Sequence, residues 1–541
     1  MKKYRALSLI TAAVMGAVLT SCEYGYASDR KKKETSSAVS EQKEKAEKVS
    51  DKYENIDIEE VNDHVRTLLD HLKESGNEKK LEKDIEVLMH DMDAAEEAYA
   101  YSEIAYDSDW YNERLEEEYD ACGENYYVVY EALSFAFSRG YATEEYKELF
   151  APYIVEENLE YYNDKAMSLK RAEGYARVDY QVSDEYLDEY YDISYDEDMS
   201  EKDKNLKCAE IYLDILSSYD TDTFYDSYNR DYTPEDVLKL SDTIKEYFIP
   251  LSDELLDRFY DNKHSDDVFD SPVTFKEPFS TIQQYAEKLS PDIRKSADKI
   301  IDDGLFTIAK GDECYTGSYT IDLPVENSAL VFIYNDDSFY DMQTAIHEFG
   351  HFHSSFYDET PSFLEETNLD VAEIQSQAME LLFMQFYDEM YGNQSDAMKL
   401  YKAYDFVDTV IQGFLIGEFE YTVLRERDNL SADDVVKCYE DIMGEYADSY
   451  PLYYIDHIFS QPGYYVSYGT SALAALDILD DCVNDTGKAL EKYEKMSKQP
   501  SNSPDCRFRA ALSECGFEDV MNEEYIAKLS DEILAFADSI K

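Results

Sequence analysis

The sequence predicts a mainly α-helical protein carrying one small β-sheet, and three observations lead there. Apolar residues recur at three- and four-residue steps, as in Ile85, Leu88, Met92, Ala95 and Tyr99, the mark of one buried helical face. Only 18 Gly and 12 Pro stand in 541 residues, too few turn formers for an all-β chain. Two segments break the helical pattern: Gly317 to Ile321 alternates like a half-buried strand, and Ala329-Leu330-Val331-Phe332-Ile333-Tyr334 is an apolar run rich in β-formers.

Taken in order, the chain begins with Lys2, Lys3 and Arg5, an apolar stretch from Ala6 to Thr20, and Leu19-Thr20-Ser21-Cys22, which resembles a bacterial lipoprotein cleavage box. Residues 1–21 are read as a lipoprotein signal peptide and Cys22 as the lipidated residue, so the expected location is extracytoplasmic, with the membrane met only through the lipid anchor. No other stretch is long and apolar enough to cross a bilayer. Residues 22–50, rich in Lys, Glu, Ser and Ala, suit a flexible tether. Residues 51–250 read as a helical lobe studded with Tyr and Glu, and the acidic, tyrosine-rich run from Glu185 to Asp198 as a solvated helix face or loop. Near Pro250 the pattern gives way to polar, loop-like sequence, which places a lobe boundary there and assigns 251–541 to a second domain.

With 50 Lys+Arg against 120 Asp+Glu the formal charge is −70, which repels phosphate at long range and excludes nucleic acid as a partner. Cys122, Cys208, Cys314, Cys438, Cys482, Cys506 and Cys515 are odd in number and contain no C-x-x-C pair, so neither a disulfide framework nor a thiolate zinc site is implied.

The chemistry concentrates after the two strands, in His347-Glu348-Phe349-Gly350-His351. On a helix, positions i and i+4 share a face, so both imidazoles can bind one Zn²⁺ with Glu348 beside a metal-bound water as general base. A catalytic zinc needs a third protein ligand and an open position. The metzincin continuation fails, because Ser354 and Tyr357 stand where Gly and His are required. Downstream, Asn368 to Glu380 reads as a second helix with Asp370 and Glu373 one turn apart, and either carboxylate could complete the site.

HEFGH followed by AEIQSQAME resembles the thimet oligopeptidase and oligoendopeptidase F family of zinc metallopeptidases. The resemblance covers about residues 310 to 530 and implies a two-lobed helical metallopeptidase with a small sheet beside the active-site helix. It implies one Zn²⁺ per chain held by His347, His351 and Glu373, with Ser376, Gln377, Met379 and Glu380 at family offsets. Gly317, Ser318 and Tyr319 match the family's segment that pairs with substrate backbone. The stretch from Ile411 to Glu420 resembles a family helix. The segment from His457 through Tyr464 and Tyr468 matches its His- and Tyr-rich loop, which makes those three residues candidate oxyanion donors and Tyr465 a weaker one. Two departures stand out: His353 comes one residue before the family's extra histidine, whose place is taken by Ser354, and Gly463 replaces a usual aromatic. His64, His71, His90 and His264 are read as incidental. The implied activity is endopeptidase action on short peptides by a monomer; the alternative is an inactive peptide-binding lipoprotein of the same fold, against which the intact Glu348 argues.

Overall fold

The computed structural model describes residues 52–540, apart from 54, 155–158, 164–166, 173, 175–184, 197, 222 and 312. The signal peptide, Cys22 and the tether expected from the sequence lie outside the described residues.

Three helices come first: α1 (Ile58–His71), α2 (Glu78–Ser108) and α3 (Glu113–Tyr141). The periodic residues Ile85, Leu88, Met92, Ala95 and Tyr99 all lie on the buried side of α2, and the first four join Val61, Val65, Leu133 and Phe137 in a shared core. Phe363, from far down the chain, also enters this core and ties the helical layer to the rest of the molecule. The acidic run after Glu185 forms a helix from Glu185 to Ser194, on which Tyr190 is buried and stacks on Phe459 at 4.2 Å.

Helix α4 (Pro234–Asp261) starts on a capping box, Thr233 with Asp236, and Pro234 occupies its first turn, where no amide donor is needed. Pro250 lies inside this helix, so the lobe boundary expected near residue 250 does not interrupt the chain. The apolar stripe of Leu240, Ile244, Phe248, Leu251 and Leu255 continues across the proline, and its burial outweighs the hydrogen bond that Pro removes. The main core, moreover, runs from Ala100 to Ala537, across both expected lobes.

The sheet has three strands in the order β1-β3-β2: β1 (Phe306–Ala309), β2 (Tyr319–Leu323) and β3 (Ser328–Tyr334). Strand β3 is central, parallel to β1 and antiparallel to β2, and is buried along nearly its whole length, which explains its unbroken apolar run. The four residues of β1 are too short to stand out in the sequence. Strand β2 forms an edge, with Tyr319 opposite Phe332 and Thr320 opposite Val331.

Three further helices frame the site: α5 (Asp341–Ser355), α6 (Leu369–Phe383) and α7 (Ser395–Glu426). Helix α7 is buried along most of its 32 residues, as a central helix must be, and takes Lys402, Asp408 and Glu420 into the interior with it. A shorter helix, α8 (Val466–Ala475), crosses it where Gly413 meets Gly469; a Cβ on Gly413 would stand 2.5 Å from the Gly469 Cα. None of the described helices is long and apolar enough to cross a membrane.

Candidate metal centre and its surroundings

The HEFGH segment lies in α5, which follows β3 directly and is buried on nearly every side. Asp341 in its first turn accepts a hydrogen bond from Asn335 Nδ2 at 2.7 Å and so fixes the turn that joins strand to helix. Helix α6 begins with Asn368, whose side chain accepts from the Val371 amide, and it packs directly on α5. Gly350 makes that packing possible: a Cβ there would stand 2.6 Å from Ser376 Cα and 2.9 Å from Gln375 O. The glycine of the motif therefore lets two helix backbones touch, and their contact faces His347 and His351 toward Glu373.

The three side chains converge. Glu373 Oε2 lies 3.3 Å from His347 Nε2 and 3.8 Å from His351 Nε2, and the candidate ligand atoms all fall within 4.8 Å of one another. Two donors each about 2.1 Å from one ion at a tetrahedral angle stand about 3.4 Å apart, so the spacing suits a single small dication. His347 Nε2 is buried and makes no hydrogen bond of good geometry, while its Nδ1 faces Glu380 Oε1 at 2.8 Å, which turns Nε2 toward the centre. The donor set thus fits the zinc expected from the sequence.

Around the centre the charges alternate. Lys402 Nζ donates to Glu380 Oε2 at 2.7 Å and to Asp405 Oδ2 at 3.1 Å, all three groups being buried or nearly so. Burial opposes ionisation of Glu380, but Lys402 and His347 outweigh it and hold the carboxyl below its ordinary range. Glu373 is likewise held low against burial, by His347 and His351. Burial pushes the His351 imidazole down to about 4, leaving it neutral, as a ligand must be. For His347, burial pulls downward and the Glu373 and Glu380 carboxylates overcome it, so its pKa lies well above the usual value: the site attracts positive charge.

Glu348 is fully buried. Its Oε2 accepts from Thr320 Oγ1 at 2.8 Å, and its Oε1 has no hydrogen-bond partner. Burial raises its pKa to about 7, against the opposing effects of His347 and Thr320. One oxygen is fixed by the edge strand and the other is left to receive a proton.

Asp370, the rival third ligand, is committed elsewhere. Its Oδ2 accepts from Tyr232 Oη at 2.9 Å and from Arg230 Nε at 3.3 Å, and its Oδ1 from Thr470 Oγ1 at 2.9 Å. His353 also turns away: its Nδ1 is 2.8 Å from Ser296 Oγ, its ring stacks on Tyr493, and burial lowers its pKa to about 4. His64, His71 and His264 each sit beside a nearby aspartate, Asp91, Asp84 and Asp267.

His457, Tyr464 and Tyr468 form one buried cluster. Asp456 Oδ1 holds His457 Nδ1 at 2.9 Å, His457 Nε2 is 3.4 Å from Tyr468 Oη, and Tyr464 Oη donates to Tyr468 Oη at 2.7 Å. Tyr465 packs its ring edge-on against both His457 and Tyr468. Helix α8, which carries Tyr468, packs on α6, which carries Glu373, and the Thr470–Asp370 bond pins the two together. Of the segment expected to meet substrate, Ser318 Oγ accepts from the Tyr334 amide at 2.9 Å and Tyr319 Oη donates to Asp107 Oδ2 at 2.6 Å, so these side chains brace β2.

Several supporting residues carry no mark in the sequence. Arg230 is buried among Tyr225, Tyr228 and Tyr232, and it donates to Gly463 O and Ser467 Oγ at 2.7 Å each. Glu420 accepts from the Gly463 amide at 2.7 Å, and Gly463 takes φ +91°, a conformation that an aromatic there would resist. Glu380, which the family offsets already singled out, stands seven residues after Glu373 on the same face of α6, and the structure puts it against His347 Nδ1.

Fold and site together define a helical protein that presents a buried His-His-Glu donor set and an adjacent glutamate on two touching helices. The structure has the oligoendopeptidase fold. It is similar to PZ peptidase A solved with an inhibitor (TM-score 0.70, 15% identity, covering 91% of this chain and 99% of that one). It is also similar to oligoendopeptidase F from Enterococcus faecium (TM-score 0.52, 14% identity, 89% and 96%) and to the M32 carboxypeptidase from Deinococcus radiodurans R1 (TM-score 0.51, 12% identity, 84% and 99%). Neither a protein-family model nor a curated protein sequence matches the chain.

Proposed function

We propose that the protein is a zinc-dependent endopeptidase of short peptides, held outside the cytoplasm by a lipid on Cys22 and acting as a monomer. The observation that carries the reading is the convergence of His347, His351 and Glu373 beside a glutamate with one fixed and one unpartnered oxygen. When bound there, Zn²⁺ supplies a Lewis acid that lowers the pKa of water and polarises the peptide carbonyl. The protein's own groups do the rest. Glu348 Oε1 takes the proton of the attacking water and later delivers it to the leaving amine, while Thr320 keeps the carboxylate from turning away. Glu380, anchored by Lys402, holds His347 in the orientation that presents Nε2. Because Tyr464 donates to Tyr468, the Tyr468 proton is directed to His457 Nε2 or to the oxyanion that forms on the substrate.

The test pairs metal content with cleavage of a quenched peptide library. One zinc per chain and cleavage are expected, with Glu348→Gln keeping the zinc and losing about 10²- to 10⁴-fold in kcat. Loss of zinc in that variant would make Glu348 a ligand and overturn the assignment. The anchor is tested apart, by release of the Cys22→Ala protein from membranes.

A further inference from the structure

Strand β2 meets the catalytic helix twice. The Thr320 hydroxyl bonds Glu348, and Asp322, two residues on and therefore on the same face of the strand, lies near Ser355, whose hydroxyl favours its ionised form. Glu348 and Ser355 are two helical turns apart, so Asp322 sits about 7 to 10 Å along the helix from the catalytic base.

Around Asp322 four more carboxylates gather: Asp93 and Glu96 from α2, Asp358 and Glu365 from the segment that follows α5. Neutral donors fasten them. The Asn502 amide donates to Asp358 Oδ2 and its side chain to Asp322 Oδ2, each at 2.8 Å, while Ser362 gives its amide and hydroxyl to Asp93 Oδ1 at 3.1 and 2.8 Å. Among the described residues no lysine, arginine or histidine forms an ion pair with any of the five. Glu96 is the telling member: its carboxyl is enclosed in protein, and its Oε2 is buried with no hydrogen-bond partner.

Three of the protein's buried carboxylates are paired with a cation, Glu380 with Lys402, Asp370 with Arg230 and Asp477 with Lys492, while Asp408 and Glu420 lean on neutral donors, Gln412 and the Gly463 amide. The Asp322 group is of the second kind, but gathers five carboxylates in one place. Confined like charges without a counterion are costly, and the cost shows: burial, then mutual repulsion, raises Glu96 to about 7 and Glu365 well above the carboxylate range, and burial raises Asp322 to about 6.

We infer that this carboxylate cluster is a subsite for a positively charged side chain of the peptide, a lysine or arginine two or three residues from the bond that Glu348 attacks. The spacing follows from an extended peptide's advance of about 3.3 Å per residue along the edge strand. The inference rests on the peptidase reading, but its test separates the two. Lysyl peptides and their ε-acetylated counterparts, equal in length and differing in charge, are titrated against the Glu348→Gln protein. The lysyl peptides are expected to bind at least tenfold more tightly, and the added substitutions Glu96→Gln and Glu365→Gln to abolish that ratio. Equal affinity of the two peptides in the Glu348→Gln protein would overturn the subsite whether or not the added variants fold. Saturable Ca²⁺ binding at these carboxylates with no preference between peptides would overturn it too, by making the cluster a metal site. If the binding preference holds and the wild-type protein loaded with zinc cleaves neither peptide, the peptidase reading fails and the subsite stands.

Discussion

Arg230 and Asp370 are 140 positions apart and meet in a fully buried ion pair at 3.3 Å, one helical turn before Glu373. The pair joins three elements of the candidate centre. Asp370 opens α6, Thr470 brings in α8, and the Arg230 guanidinium reaches on to Gly463 and Ser467 in the segment of His457 and Tyr468. The metal-facing helix and the tyrosine cluster thus hang from one charge pair that touches neither site.

This makes Glu373 and Asp370 separable by experiment. Glu373→Ala should lose stoichiometric zinc with a small change in thermal stability. Asp370→Ala should leave the three ligands in place but strand the Arg230 charge, at a cost of about 3 to 5 kcal/mol. Metal analysis beside chemical denaturation checks both, and zinc loss in Asp370→Ala at temperatures where the protein is folded would return the third-ligand role to Asp370.

Gly350→Ala tests the helix contact. The methyl group must push Ser376 Cα and the Gln375 carbonyl away, which separates α5 from α6 and draws Glu373 off the histidines. Overpacking of this kind costs about 1 to 3 kcal/mol. The expected result is a folded protein with weakened zinc affinity, read by competition with a chelator; unchanged affinity would show that the contact yields without moving the ligands.

Tyr468→Phe and His457→Ala should each lower kcat by about a hundredfold or more with zinc content unchanged, the scale of losing one oxyanion donor. The stated bond pattern adds a rank: Tyr464→Phe removes the donor behind Tyr468 and should cost less than Tyr468→Phe. Near-normal kcat in all three would show that the cluster only packs.

The pH dependence of stability carries a definite sign. Burial raises Asp408 from 3.8 to about 7 and Glu420 from 4.5 to about 8. Between the unfolded and folded values the native state holds protons that the unfolded chain has lost, so stability falls as pH rises through that window and is greatest at its acidic end. The net charge of −70 pushes the same way. Thermal unfolding should therefore give a higher Tm at about pH 5.5 than at about pH 8, with the difference smaller in Glu420→Gln, which keeps the shape and has no proton to lose. A Tm that rises with pH over this range would contradict the assignment.

The sequence by itself determined the helical class, the apolar face of α2, the strands β2 and β3, and the placing of His347 and His351 on one helical face. Each of these rests on a period or a spacing within a few residues, which local geometry fixes. Only the tertiary structure shows Glu373 beside the two histidines and Asp370 turned away, because both lie on one turn and Asp370 is taken up by Arg230, Tyr232 and Thr470, contributed from elsewhere in the chain. It likewise carried α4 straight through Pro250, where a continuous buried stripe outweighs one missing hydrogen bond. The four carboxylates around Asp322 were invisible for the same reason: acidic residues are everywhere in this chain, and only packing shows which of them gather with no cation among the described residues.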